Sequence, residues 1–359
     1  MTSTKPQPET TLKPKATRRP KKSVLVTGAS GFIAGHCIIR LLNEGYKVRG
    51  SLRSMNQAED VRTALSAYAD VKDLSFVELD LSSDEGWETA AKGCTFVQHV
   101  ASPFPNTAPD NEDDLIVPAR EGALRALRAA AKAKVKRVVM TSSIAAIGYG
   151  RDHPKDYIYS EDDWSNLEGD LTAYAKSKTV AEQAAWEFMQ TDAAGKMELS
   201  VINPGAVLGP LTSADYSTSG DMVKKLLDGS VPACPAIGFS CIDVRDVADA
   251  HFEAMIRKVA AGRRYCLVGD YAWMIDVACE LRSAGYAAPV RKLPNFMVHI
   301  LGIFDPTVRL IKAGLGKKSI FSNQRLIEEL DITPRSIKEM SVSMAESMVK
   351  FGVISPKML

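Results

Sequence analysis

The sequence has no uninterrupted apolar run approaching the roughly 20 residues that a helix needs to cross a bilayer. Its first residues lack the apolar core of a secretory leader. Cysteine is sparse: six in 359 residues (Cys37, Cys94, Cys234, Cys241, Cys266, Cys279), none in a CxxC pair. That argues against a zinc ribbon or a disulfide framework and points to reduced thiols in a cytoplasmic protein. The five histidines share no metal-ligand spacing, so no metal is expected. No internal repeat is present.

A strong net charge is also missing, since 45 Lys/Arg oppose 43 Asp/Glu. The balance hides an asymmetry. Residues 1–22 hold seven bases, one acid and four prolines, which leaves 38 bases and 42 acids in the body. The tail carries too little apolar surface to order itself and reads as a disordered basic leader. The body is not basic and gives no footprint for nucleic acid or a membrane.

What the chain does have is a regular alternation. "SVLVTG", "YKVRGSLR", "LSFVELD", "CTFVQHVAS", "VKRVVMTSS" and "MELSVINPG" read as strands, with helical stretches between them. Nearly continuous apolar strands separated by helices predict an α/β fold, a doubly wound parallel sheet of Rossmann type. Such sheets bind ligands at the carboxyl ends of their strands. The unusual residues fall there, in "VTGASG", "LDLSS", "HVASP", "TSSIAA" and "INPG". Residues 23–205 are assigned to this dinucleotide-binding domain, with 241–260 ("CIDVRDVADAHFEAM" and beyond) returning to it. Residues 206–359 read mainly as a smaller, interleaved C-terminal substrate lobe.

Residues 27–35, "TGASGFIAG", sit between a strand and a helix. Glycines there allow positive φ and close backbone approach, and the helix N-terminus offers free N–H groups to a pyrophosphate. An NAD-preferring sheet wants a carboxylate at the end of the second strand. "YKVRGSLRS" has none; it has Arg49 and Arg53. A guanidinium grips a phosphate dianion, so the cofactor is read as NADP(H), with Arg53, past the strand end, as the phosphate ligand. Asp80-Leu81 ends the third strand, where adenine would lie.

Tyr174 and Lys178 are four apart in a helical stretch and share one face. Carbonyl reduction needs a hydride at carbon and a proton at oxygen. A free tyrosine, with a pKa of about 10, is a poor acid–base group near neutrality, and a neighbouring ammonium favours its phenolate. A serine would support the same oxygen. Ser142 and Ser143 are both available, and on a strand they face opposite sides.

Taken together, "VTGASGFIAGH", "LDLSSDEGWETAAKGC", "HVASP", "VKRVVMTSSIAAIG", "YAKSKTVAEQAAW", "INPGAVLGP" and "DVRDVADAH" resemble the extended short-chain dehydrogenase/reductases. Within that group they are most similar to the dihydroflavonol 4-reductase-like branch, which includes bacterial and fungal aldehyde and ketone reductases. The resemblance implies Ser143 as the substrate-facing serine, Tyr174 as acid and Lys178 as its electrostatic partner. It implies cofactor contacts from Gly28, Ser30, Gly31, Phe32 and Ile33 at the pyrophosphate and from Arg53 at the 2′-phosphate. It places Asp80 and Leu81 at adenine, Val100, Ala101 and Ser102 near the ribose, and Pro204 to Val207 at the nicotinamide end. Tyr174 and Lys178 would touch the cofactor as well. A homodimer is implied too.

Two departures bear on the substrate. Gly148 stands where plant dihydroflavonol reductases carry a flavonoid-binding asparagine, and the NWYCYG signature of cinnamoyl-CoA reductases is absent. A small-molecule aldehyde or ketone, reduced to an alcohol with NADPH, is the expected substrate, with Phe104, Tyr149 and Tyr216 as wall residues. A sugar-nucleotide epimerase/dehydratase and a non-catalytic NADP-sensing protein are the alternatives.

Overall fold

The computed structural model describes residues 22–103, 111–151, 153–154, 156–216, 218–304 and 314–359. The basic tail and Phe104 lie outside the described residues. Strands and helices alternate from Ser23 to Thr141, as the apolar pattern requires. The strands are β1 (Ser23–Val26), β2 (Lys47–Leu52), β3 (Leu74–Glu78), β4 (Phe96–His99) and β5 (Arg137–Thr141). They are followed by β6 (Ile158–Tyr159), β7 (Glu198–Pro204), β8 (Ala206–Leu208), β9 (Gly238–Asp243), β10 (Arg263–Leu267), β11 (Tyr271–Trp273) and β12 (Ile320–Phe321). The helices used below are α1 (Phe32–Asn43), α2 (Ala58–Ser66), α3 (Trp87–Ala91), α4 (Asp113–Lys132), α5 (Ala173–Met189), α6 (Thr218–Leu227) and α7 (Val244–Ile256).

Seven strands form one parallel sheet in the order β10-β7-β5-β4-β1-β2-β3. The chain runs outward from β1 through β2 and β3, then returns to lay β4, β5, β7 and β10 on the other side. The direction reverses between β1 and β4, and that switch point opens a crevice at their carboxyl ends. Side chains alternate across the sheet. Val24 and Val26 join Ile38, Leu41, Val247 and Phe252 under α1 and α7. Leu25, Val97 and Val138 pack with Leu127, Ala130 and Ala185 under α4 and α5. Both faces are covered, which is why these strands read as unbroken apolar runs.

The lobe beyond has its own core. Leu208, Val223, Leu226, Cys241, Val277, Met340 and Met344 cluster where α6, helix Met274–Ser283 and helix Ile337–Lys350 meet. A small sheet, β11-β9-β8, carries this core toward the crevice, and β12 pairs in parallel with β6. Among the described residues, no helix is long and apolar enough to cross a membrane.

Candidate active site

The glycine turn is fixed from two sides. Gly28 has φ +74°, a conformation that an L side chain adopts at a cost, and a Cβ there would lie 3.1 Å from the Ala101 Cβ. Gly28 N donates to Ser51 Oγ (3.1 Å) and Ala29 N to Ser51 O (2.8 Å), which ties the turn to the end of β2. Thr27 Oγ1 accepts from the backbone N–H of Val100 and of Ala101, each at 3.0 Å, and meets His99 Nδ1 at 3.0 Å. One buried threonine thus joins the loops that follow β1 and β4. Helix α1 starts after Gly31 with no side-chain cap and no acid in its first turn. Its first N–H groups have no partner within the helix, and they face a cleft.

That cleft, about 1650 Å³, runs along the carboxyl ends of the strands. Gly28, Ser30, Gly31, Phe32 and Ile33 line it, with Val100, Ala101 and Ser102 beside them. Arg53, just past β2, is exposed and has no ion-pair partner within 4.0 Å among the described residues. Asp80 and Leu81 follow β3 at the same end. Asp80 Oδ1 accepts from Ser82 N (2.7 Å) and Ser82 Oγ (2.6 Å). These bonds, helped by Arg53 and Arg125, hold its carboxyl below the usual carboxylate range. An uncapped helix end, a free guanidinium and no carboxylate at the end of β2 suit a phosphorylated dinucleotide.

Arg49 points elsewhere. Its guanidinium donates to the carbonyls of Ala90 (2.5 Å) and Lys92 (3.1 Å) and so braces the C-terminus of α3. Arg245 is also engaged, in two bonds to Asp243 at 2.8 and 2.7 Å.

The stretch of the cleft that holds Ser143, Tyr174 and Lys178 is built from β5, β7 and α5. The two serines divide as strand alternation predicts. Ser142 Oγ donates to buried Glu182 (2.6 Å), whereas Ser143 turns to Tyr174, with which it shares a side-chain hydrogen bond. Thr172 caps α5 by accepting from Ala175 N (3.2 Å), which sets Tyr174 in the helix's first turn. Lys178 Nζ is 5.9 Å from the Tyr174 ring centroid and donates to Ser102 Oγ (3.0 Å). Pro204 and Val207 line the same stretch.

Electrostatics differ from the sequence argument in one respect. The sequence has the ammonium drawing the phenol's pKa down. In this site burial is the larger influence and pushes Tyr174 up, with the Ser143 bond acting in the opposite direction. It is Lys178 that moves far: burial lowers it to about 8, and the charge of Glu182 works against that fall. His99, buried beside Lys178, is lowered to about 4 by burial first and the ammonium second, and is neutral.

The far end of the cleft is aromatic. Tyr149 and Tyr216 are on its wall, with Tyr159, Phe239, Tyr271 and Phe321, which the sequence reading did not single out. Phe321 stacks on Tyr159, centroids 5.2 Å apart at 27°. It fills the space above Gly148, where a Cβ would come within 2.6 Å of its ring. The signal was weak because β6 and β12 have two residues each, too few to show a period.

Comparison with known proteins identifies a family and several relatives. Residues 24–269 match the NAD dependent epimerase/dehydratase family. A cinnamoyl-CoA reductase of Medicago truncatula is 35% identical over 267 residues, covering 72% of this chain and 80% of the relative. The NADPH-dependent methylglyoxal reductase of Saccharomyces cerevisiae is 36% identical over 277 residues, covering 71% and 80%. The crystal structure of yeast methylglyoxal/isovaleraldehyde reductase complexed with NADPH superposes with a TM-score of 0.73 at 30% identity, covering 92% of this chain and 99% of that one. The chain belongs to the NAD dependent epimerase/dehydratase family, the extended short-chain dehydrogenase/reductases, within their dihydroflavonol 4-reductase-like branch.

Proposed function

We propose that the protein reduces an aldehyde or ketone to an alcohol with NADPH. The observation that carries the reading is the meeting of Ser143, Tyr174 and Lys178 on the wall of a cleft whose other end presents a free Arg53. The yeast methylglyoxal reductase is named as NADPH-dependent and was solved with that cofactor, and a Candida albicans relative was solved with it as well. The glycine turn and the α1 N-terminus would hold the pyrophosphate, Arg53 the 2′-phosphate, and Asp80 and Leu81 the adenine end. Ser102 and Lys178 would reach the ribose, and Pro204 and Val207 the nicotinamide. Residues 23–205 with 241–260 would bind the cofactor, and the remainder of 206–359 would supply most of the substrate wall.

NADPH supplies the hydride. The protein's residues manage the oxygen. Tyr174 donates its proton to the carbonyl oxygen as negative charge grows there. Ser143, already bonded to Tyr174, donates a hydrogen bond to the same oxygen. Burial, which raises its pKa, leaves the phenol protonated at neutral pH. Once the proton has left, Lys178 is the cation that stabilises the phenolate.

The test is net oxidation of NADPH across a panel of aldehydes and ketones. Carbonyl-dependent consumption supports a reductase. An epimerase would return the cofactor unchanged, and a sensor would bind NADPH without turnover.

A further inference from the structure

Glu182 lies one helical turn beyond Lys178 on α5 and has no exposed surface. Ser142 Oγ (2.6 Å) and Asn203 Nδ2 (2.7 Å) donate to its Oε2. Arg264 Nε (2.5 Å) and Trp186 Nε1 (3.3 Å) donate to Oε1. A carboxyl that only accepts, from four donors including a guanidinium, is ionised. A buried ion pair contributes little net stability compared with apolar groups of the same size. Packing alone therefore does not account for a charge at this place.

Its position does. Three of the four donors come from the ends of strands, Ser142 after β5, Asn203 in β7 and Arg264 in β10, and the fourth, Trp186, is on α5 itself. The Asn203 amide that reaches Glu182 also donates to Ser143 O (3.1 Å). The groups facing Lys178 are few. On its own helix they are Tyr174 and Glu182. The end of β4 presents neutral His99 and the Ser102 hydroxyl, and the end of β5 presents Thr141 and Ser142. Helix α4 offers Ala119 and Ala123. Arg264 is turned to Glu182 and stacks over Trp164, 3.8 Å from the ring centroid. Among the described residues, Glu182 is the one anion whose charge favours the Lys178 ammonium.

We propose that Glu182 is a positioning residue: a buried counter-ion that keeps Lys178 protonated and, through Asn203, fixes the backbone of Ser143. The role rests on the reductase reading for its meaning, but its test does not need turnover. Lysine labelled with ¹³C at Cε is titrated by NMR in the full chain, with Lys178→Arg identifying the resonance. Glu182→Gln should lower the Lys178 midpoint by about one pH unit, and Glu182→Asp should restore most of the loss. The alkaline limb of kcat should move in step. A folded Glu182→Gln protein with an unchanged Lys178 midpoint overturns the proposal, whatever its activity. If that variant does not fold, Glu182→Gln with Arg264→Met is compared with Arg264→Met alone, so that the two differ only in the Glu182 charge. A lower midpoint in the double variant than in Arg264→Met supports the role, and an equal one overturns it. Failure of the reductase reading would show separately, as a wild-type chain that consumes no NADPH with any carbonyl.

Discussion

Arg53→Ala isolates the proposed phosphate grip from everything else in the site. The side chain is exposed and has no ion-pair partner among the described residues, so its removal disturbs no packed contact. The neighbouring backbone is held independently, because Ser51 keeps its bonds to Gly28 and Ala29. A guanidinium on a phosphate dianion makes two charge-assisted bonds, each contributing about 1.5–3 kcal/mol. Discounting the sum for water at an exposed position leaves about 2–3 kcal/mol. That predicts an NADPH dissociation constant about 30- to 150-fold higher. NADH lacks the phosphate, so its affinity should change by no more than about twofold. The assay is fluorescence titration of the variant and the unaltered protein with each dinucleotide at one salt concentration. Equal weakening toward both, or no weakening toward NADPH, refutes the reasoning and leaves the choice of phosphate to another group.

Two further outcomes follow from the packing. Gly148→Asn must push Phe321 from above Gly148, since even a Cβ lies 2.6 Å from its ring. Overpacking of this kind costs about 1–3 kcal/mol, and the KM for aryl ketones should rise; adding Phe321→Ala should recover stability in urea titrations. His251 has no exposed surface, bonds Thr141 Oγ1 through Nε2 (2.8 Å), and is lowered by burial from 6.5 to about 3. The unfolded chain takes up this proton first, so the stability due to His251 is intact above 6.5 and is lost as pH falls toward 3. At pH 5 the loss is about 2 kcal/mol. His251→Gln should therefore lose less stability than the unaltered protein between pH 7 and pH 5. An identical loss in both would contradict the assignment.

Local features of the site were legible and distant ones were not. The glycine turn announces itself because the chemistry that shapes it lies within a few residues of sequence. The choice between Arg49 and Arg53 followed from where the strand ends, and the structure shows Arg49 spent on the C-terminus of α3. The choice between Ser142 and Ser143 did not follow from the residues. Strand alternation says only that the two part ways; what claims Ser142 is Glu182, 40 residues along the chain. Asn203 and Arg264 complete that network from β7 and β10, and neither stands out in its own segment. Phe321 was hidden for the same reason, since only the pairing of β12 with β6 brings it to Gly148. The direction of the Tyr174 shift was missed because burial, which outweighs the neighbouring charge, cannot be read from a helix face alone.

The most direct test of the central claim compares the protein with Tyr174→Phe, following NADPH oxidation over a panel of aldehydes and ketones. Phenylalanine keeps the ring and removes the proton donor. The account predicts that NADPH binding persists while kcat falls by about 100-fold or more. A Tyr174→Phe protein that binds NADPH and reduces the same carbonyls at the unaltered rate would contradict it.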